Sequence, residues 1–256
     1  MEATTTTSLR FYRFLPYWAV LQTDLRQTTR NWVWRTWVIA SMAAALLYLT
    51  HRFAVYKEAN FIVTVDVVVS KLLHSVALGT VTLVVAFCSG AIATERGSLA
   101  DSVLCRGISR YQYYLAKLHS RLISVLGTYL LMSITVLSIA GFVFPGIMTT
   151  TGCAVSLGAL AAVLAAIVCI SVTTSALCGS TVLTVTLLWV GLYAAGFALT
   201  FLPISYLTPD RLIDTFPLML KGVYDRDGLW LMLKCAGYAS IAASLAGMIG
   251  FSRSDV

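Results

Sequence analysis

The sequence predicts an all-α integral membrane protein with six transmembrane helices, and three observations lead there. Of the 256 residues, 59% are hydrophobic and 11% are charged, where a water-soluble domain carries roughly 25% charged residues. Residues 122–209 contain no Lys, Arg, Asp, Glu or His. Six apolar runs are each long enough, at roughly 20 residues, to cross a hydrocarbon core about 30 Å thick. So few charges cannot cover a surface that faces water, so lipid is the solvent for most of it.

The six spans fall at 32–50, 67–93, 122–144, 153–174, 181–202 and 229–250, and the chain reads as a single membrane-spanning domain. Helices are the expected form, because lipid cannot satisfy open backbone groups. A transmembrane β-barrel would alternate polar and apolar residues in segments of about ten, and runs such as LGALAAVLAAIVCI do not alternate.

The N-terminal stretch MEATTTTSLRFYRF lacks the basic-then-apolar layout of a cleavable signal peptide, and residues 1–13 read as a flexible tip. Residues 14–31 follow with Trp18, Leu21, Leu25 and Trp32 on one helical face and Arg26, Gln27 and Arg30 turned away from it. That pattern predicts a helix lying in the membrane interface, with tryptophans at headgroup depth.

Basic residues set the expected orientation. With the N-terminus inside, the inner segments hold Arg10, Arg13, Arg26, Arg30, Arg35, Arg96, Arg106, Arg110, Lys117, Arg121 and Arg253. The outer segments hold Arg52, Lys57, Arg211, Lys221 and Arg226. The excess predicts that both termini are cytoplasmic. Between spans five and six, Thr208 reads as an N-cap and Pro209 as the first position of a short amphipathic helix on or dipping into the outer leaflet. Leu212, Ile213 and Phe216 form its apolar face, Pro217 should end or kink it, and Tyr206, Tyr224 and Trp230 would mark the interface. In the last span, Ala239, Ala243 and Gly247 repeat every four residues, as do Ala236, Ser240 and Ser244. Such ladders let helix backbones approach closely in lipid, with packing inside one chain the expected use.

The most informative stretch is the inner loop TERGSLADSVLCRGISRYQYYLAKLHSRL. Ser98 with Asp101 forms a capping-box pattern that opens a short helix from Leu99 to Cys105, and Gly107 ends it. Ser109 with Gln112 is a second capping box, opening a helix that runs through Tyr111, Tyr113 and Tyr114 into the third span. A short helix held between two span ends is suited to receive a cytoplasmic partner and to pass a push to both spans.

This segment resembles the signature region of ABC-2 type transporter permeases, the group similar to the nitrous-oxide-reductase maturation permease. The matching residues are Glu95, Gly97, Ser98 and Leu99, then Ile108, Ser109 and Arg110, then Leu115 and Lys117. Gly107 stands where that family usually has proline. The resemblance implies the membrane subunit of an ATP-driven exporter in a bacterial inner membrane, paired with a second permease chain as a homo- or heterodimer. It also implies a separate cytoplasmic ABC ATPase subunit that receives the short inner helix as a coupling helix. Glu95, Gly97, Ser98, Leu99, Asp101, Arg106, Ser109 and Arg110 carry the implied docking role. The chain contains no G-x-x-x-x-G-K-[ST] phosphate loop, so ATP and Mg would be bound by the partner, and no cofactor or enzymatic activity is expected of this chain.

Other chemistry finds little support in the residues. Lys71 and His74, at i and i+3 near the outer end of the second span, are the candidates for a polar path. The simpler expectation is that Lys71 snorkels towards Asp66, that His74 makes an interhelical hydrogen bond, and that Lys234 snorkels in the last span. No carboxylate sits deep in a span, which disfavours an ion-coupled carrier. No H-E-x-x-H or G-x-S-x-G occurs, and His51, His74 and His119 lie in separate regions. Cys88, Cys105, Cys153, Cys169, Cys178 and Cys235 form no C-x-x-C pair and are read as packed thiols, without disulfides or metal. The net charge of +7 is scattered in short segments between apolar runs, which does not make a nucleic-acid surface. A secondary carrier or channel and a non-transporting membrane anchor remain the alternatives.

Overall fold

A computed structural model describes residues 14–59, 64–93, 108–146, 148–201 and 209–253. Among these residues there are eight helices and no strand. They are α1 (Leu15–Arg30), α2 (Trp32–Ala59), α3 (Val65–Ser89), α4 (Arg110–Val143), α5 (Thr150–Leu177), α6 (Thr181–Thr200), α7 (Pro209–Leu220) and α8 (Arg226–Arg253). Six of them, all except α1 and α7, are long and apolar enough to cross a membrane. The chain is a multi-pass α-helical membrane protein. Its lipid-facing character shows in bulky apolar side chains left uncovered, including Phe142 at 93% exposure and Val182 at 77%. A water-soluble surface does not gather apolar groups so densely.

The helices alternate in direction and form a bundle with two distinguishable ends, one carrying α1 and the other α7. α3, α4 and α5 make the centre and pack on one another. α8 runs close along α5, while α2 and α6 sit at the edges. Two apolar cores fill the interior. One lies towards α7, around Val69, Leu73, Tyr129, Leu164 and Phe216. The other lies towards α1, around Val84, Ile92, Tyr114, Val172 and Phe251.

Local chemistry fixes where each helix starts and stops. α1 begins with Pro16 in its first turn, where the missing N–H costs nothing. It ends at Asn31, whose extended backbone (ψ 126°) turns the chain into α2. The Asn31 side chain then accepts from the Val33 N–H at 2.9 Å, and Arg35 Nε donates to the Thr29 carbonyl at 2.9 Å, so both helix ends at this corner are satisfied. α4 opens on the expected capping box: Ser109 Oγ accepts from the Gln112 N–H, and the Gln112 side chain reaches back to the Ser109 N–H. It then runs unbroken for 34 residues. At 1.5 Å per residue that is about 50 Å, longer than a hydrocarbon core of about 30 Å requires.

The packing of α1 adds to its reading, and two expectations, both on α7, are corrected. The α1 face that is buried is Leu21, Asp24 and Thr28. Trp18 and Trp32 are 63% and 76% exposed, and Leu25 only half-buried. The reason is the protein partner: α1 packs on α4, and its polar positions face that helix. The apolar face of α7, expected on the outer leaflet, packs instead on α3 and α5 through Leu212, Phe216, Met219 and Leu220. Pro217 does not end α7, which continues to Leu220. Pro217 lies in the last turn, so it removes a single hydrogen bond from a helix that tertiary packing holds in place. Of the small residues in α8, Gly247 is buried, Ala236, Ser240, Ala243 and Ser244 are half-buried and Ala239 is exposed. The close approach is made inside the chain, against α5 and α4.

Candidate functional site

The α7 end is closed by backbone and ionic ties. Thr149 N–H donates to the Leu220 carbonyl at 3.1 Å, and Val65 N–H to the Pro145 carbonyl at 3.2 Å. Gly222, with φ of +86°, makes the turn that follows α7 and lies against Thr149. Asp66 pairs with Lys221 at 3.0 Å. This corrects the expected Lys71–Asp66 approach. Five residues of helix place Lys71 about 140° round α3 from Asp66, so the two cannot share a face, and Lys221 from the end of α7 fills the role.

Lys71 and His74 face the groove between α2 and α3, where a cavity of about 600 Å³ is lined also by Trp37, Tyr48, Arg52 and Ser70. Among the described residues, His74 has no hydrogen-bond partner, so the interhelical bond expected for it is replaced by exposure to this cavity. Arg52 is held by Tyr48: its Nε donates to the phenol oxygen at 3.2 Å and its guanidinium lies 5.3 Å from the ring centroid. Lys234 lies 5.2 Å from the centroid of the Trp230 ring, near the start of α8, as a side chain reaching towards the interface would.

At the α1 end, the inner loop is framed by two fixed stems. The chain leaving α3 is stapled by Ser175 of α5. Its hydroxyl donates to the Ser89 carbonyl at 2.8 Å and accepts from the Ile92 and Ala93 N–H groups at 3.2 Å each. The chain joining α4 is held by Arg110, whose Nη1 donates to the Ser252 carbonyl at 3.2 Å, and by Tyr113 stacked on Phe251. Of the predicted docking residues, Ser109 and Arg110 therefore sit in this second stem. Glu95, Gly97, Ser98, Leu99, Asp101 and Arg106 lie outside the described residues, as do Tyr206, Thr208 and the N-terminal tip. Ser175→Ala should lower stability by about 1–3 kcal/mol, since the buried Ile92 N–H and the half-buried Ala93 N–H lose their acceptor. Thermal unfolding in detergent would check it, together with faster amide exchange at Ile92 and Ala93.

Beside these stems lies a buried ionic cluster that the sequence did not announce. Lys117 Nζ contacts Asp24 Oδ1 at 2.6 Å, with side chains 5% and 3% exposed. Arg121 Nη2 lies 3.5 Å from the same oxygen, and its Nη1 donates to Thr28 Oγ1 at 2.9 Å. Lys117 also lies 5.8 Å from the centroid of the Tyr113 ring. Between them on α4, His119 Nδ1 is 3.0 Å from the Tyr17 hydroxyl. Burial pushes that hydroxyl above the ordinary tyrosine value, which keeps it protonated at neutral pH. The cluster locks α1 to the N-terminal part of α4. The signal that could have found it was the lone acid in the first 40 residues apart from Glu2, facing Lys117 and Arg121 at i and i+4 of a later helix.

Fold and site together define the class: a polytopic membrane protein of six spans with a helical brace at each end and a cationic cavity between two spans. No protein-family model matches the chain, and no curated protein matches it.

Proposed function

We propose that this chain is the membrane-spanning permease subunit of an ATP-driven ABC-type transporter. It would work as one of a pair of permease chains in a bacterial inner membrane, with both termini cytoplasmic and ATP hydrolysed by a separate cytoplasmic subunit. The observation that carries the reading is the framing of the inner loop. Ser175 fixes the stem at Ala93, and the Ser109 capping box with Arg110 fixes the stem at α4. A force applied to residues 94–107 would then reach α5 and α8 as well as α3 and α4, because each stem is tied across the bundle. Two further observations support it. The basic residues Arg26, Arg30, Arg35, Arg110, Lys117 and Arg121 gather at the α1 end, as a cytoplasmic face requires. The cavity between α2 and α3 offers polar groups within the membrane-spanning region, which are costly there and mark paths for cargo.

The test removes residues 98–105 and replaces them with a Gly/Ser linker of equal length. Co-purification with a candidate ABC ATPase produced in the same cells should be abolished, while the melting temperature of the permease changes little. ATP-dependent flux in vesicles should vanish with it. Intact binding after the replacement would overturn the docking role, and flux driven by an ion gradient without ATP would overturn the whole reading.

A further inference from the structure

The α2–α3 cavity is uneven along its length. Arg52 lies twenty residues along α2, about 30 Å from its start, and Lys71 lies about 9 Å from the start of α3. Both therefore stand towards the α7 end. Trp37, Ala45, Val76 and Gly79 line the part that runs deeper into the bundle. Cationic groups at one end and an apolar wall at the other make the cavity amphiphilic.

The charge is unbalanced. Arg52, Lys71 and His74 contribute to the lining and no Asp or Glu does. Among the described residues Lys71 has no ion pair, and the Arg52 guanidinium uses one of its five N–H donors, on Tyr48. Ser70 is 5% exposed, lines the same cavity, and its hydroxyl has no protein partner among the described residues. The Ser70 hydroxyl is open to whatever fills the cavity, and cations without an ion pair in a membrane-spanning helix are costly. A volume of about 600 Å³ falls within the range that holds small-molecule ligands, roughly 300–1,000 Å³.

We propose that this cavity binds an anionic amphiphile, its phosphate or carboxylate head on Arg52, Lys71 and Ser70 and its chain along Trp37, Val76 and Gly79. The head would complete the donors that the protein leaves unused, and the chain would cover the apolar wall. That the bound molecule is also the cargo rests on the permease reading. Binding itself is read on the purified chain without any ATPase, so either statement can fail alone.

The experiment titrates the full chain in a neutral detergent with dioleoylphosphatidylglycerol, dioleoylphosphatidylcholine or inorganic phosphate, following thermal unfolding. Phosphatidylglycerol should raise the melting temperature, and the other two should not. R52Q/K71Q should weaken that effect about tenfold or more, the scale of a lost charge-assisted contact. K234Q, which removes a cation outside the cavity, should leave it unchanged. A second variant keeps the charges: Gly79→Leu fills the apolar part, where an added Cβ would meet Trp37 at a comfortable 3.9 Å. It should weaken dioleoyl- but not dihexanoylphosphatidylglycerol. Equal stabilisation by phosphatidylcholine would overturn the proposal in favour of boundary lipid. Equal stabilisation by inorganic phosphate would overturn it in favour of a free anion. Undiminished binding by R52Q/K71Q or by Gly79→Leu would place the lipid elsewhere.

Discussion

Asp24→Ala is expected to destabilise the protein by about 3–5 kcal/mol, the cost of removing one partner from a buried ion pair. Asp24 is 3% exposed and faces two cations, Lys117 at 2.6 Å and Arg121 at 3.5 Å. Without the carboxylate, two positive groups stand close together and both lose the counter-charge that Asp24 supplies. Lys117→Met should cost less, because Arg121 remains to pair with Asp24. The triple replacement Asp24→Leu, Lys117→Met, Arg121→Met should recover much of the loss, since apolar side chains of similar size often replace a buried ionic cluster without penalty. Chemical or thermal unfolding of the four proteins in the same detergent would check the order. A single-variant loss for Asp24→Ala no larger than about 1 kcal/mol, the scale of an exposed pair, would show that water reaches the cluster.

Gly247→Leu is expected to be the most damaging substitution in the last span, at about 3 kcal/mol or more. A Cβ at this position would run into the Tyr114 hydroxyl, and would lie 2.7 Å from the ring carbon that bears it and 2.9 Å from Thr173 Oγ1. To make room, α8 must shift away from α4 and α5. That endangers two hydrogen bonds, Thr173 Oγ1 to the Ala243 carbonyl at 2.8 Å and Tyr114 to Thr173 at 3.0 Å. Overpacking costs typically about 1–3 kcal/mol, and each lost bond adds about 1 kcal/mol. The helix-propensity gain of replacing glycine, about 1 kcal/mol, does not offset these. Gly237→Ala makes the contrast: nothing lies within 4 Å of its added Cβ, so propensity alone acts and the melting temperature should rise slightly.

The spans were legible because their signal is summed over about 20 residues and lipid allows one answer for backbone satisfaction. The Ser109 capping box was legible because both halves of it are local. What escaped was every contact between helices distant in sequence. Asp24 lies 93 residues from Lys117, and no periodicity in either segment pairs them. The same limit misassigned Asp66, whose partner Lys221 sits at the end of another helix. The apolar face of α7 was read as membrane-facing because a hydrophobic stripe looks alike whether lipid or protein covers it, and the polar stripe of α1 gave no sign that it would be the buried one. Lys71 and His74 stood out as polar groups in an apolar span, but the cavity they line depends also on Arg52 and Tyr48 of the preceding helix, which no spacing rule connects to them.

The tie between Asp24 and Lys117 has a consequence for biogenesis. The ribosome synthesises the carboxylate long before the ammonium that neutralises it, with two complete spans in between. Until the third hairpin arm arrives, α1 holds an unmatched acid and must stay in water or at the headgroups. Docking of α1 is therefore a late event in insertion, and a nascent chain arrested before residue 117 should leave it accessible to a soluble protease.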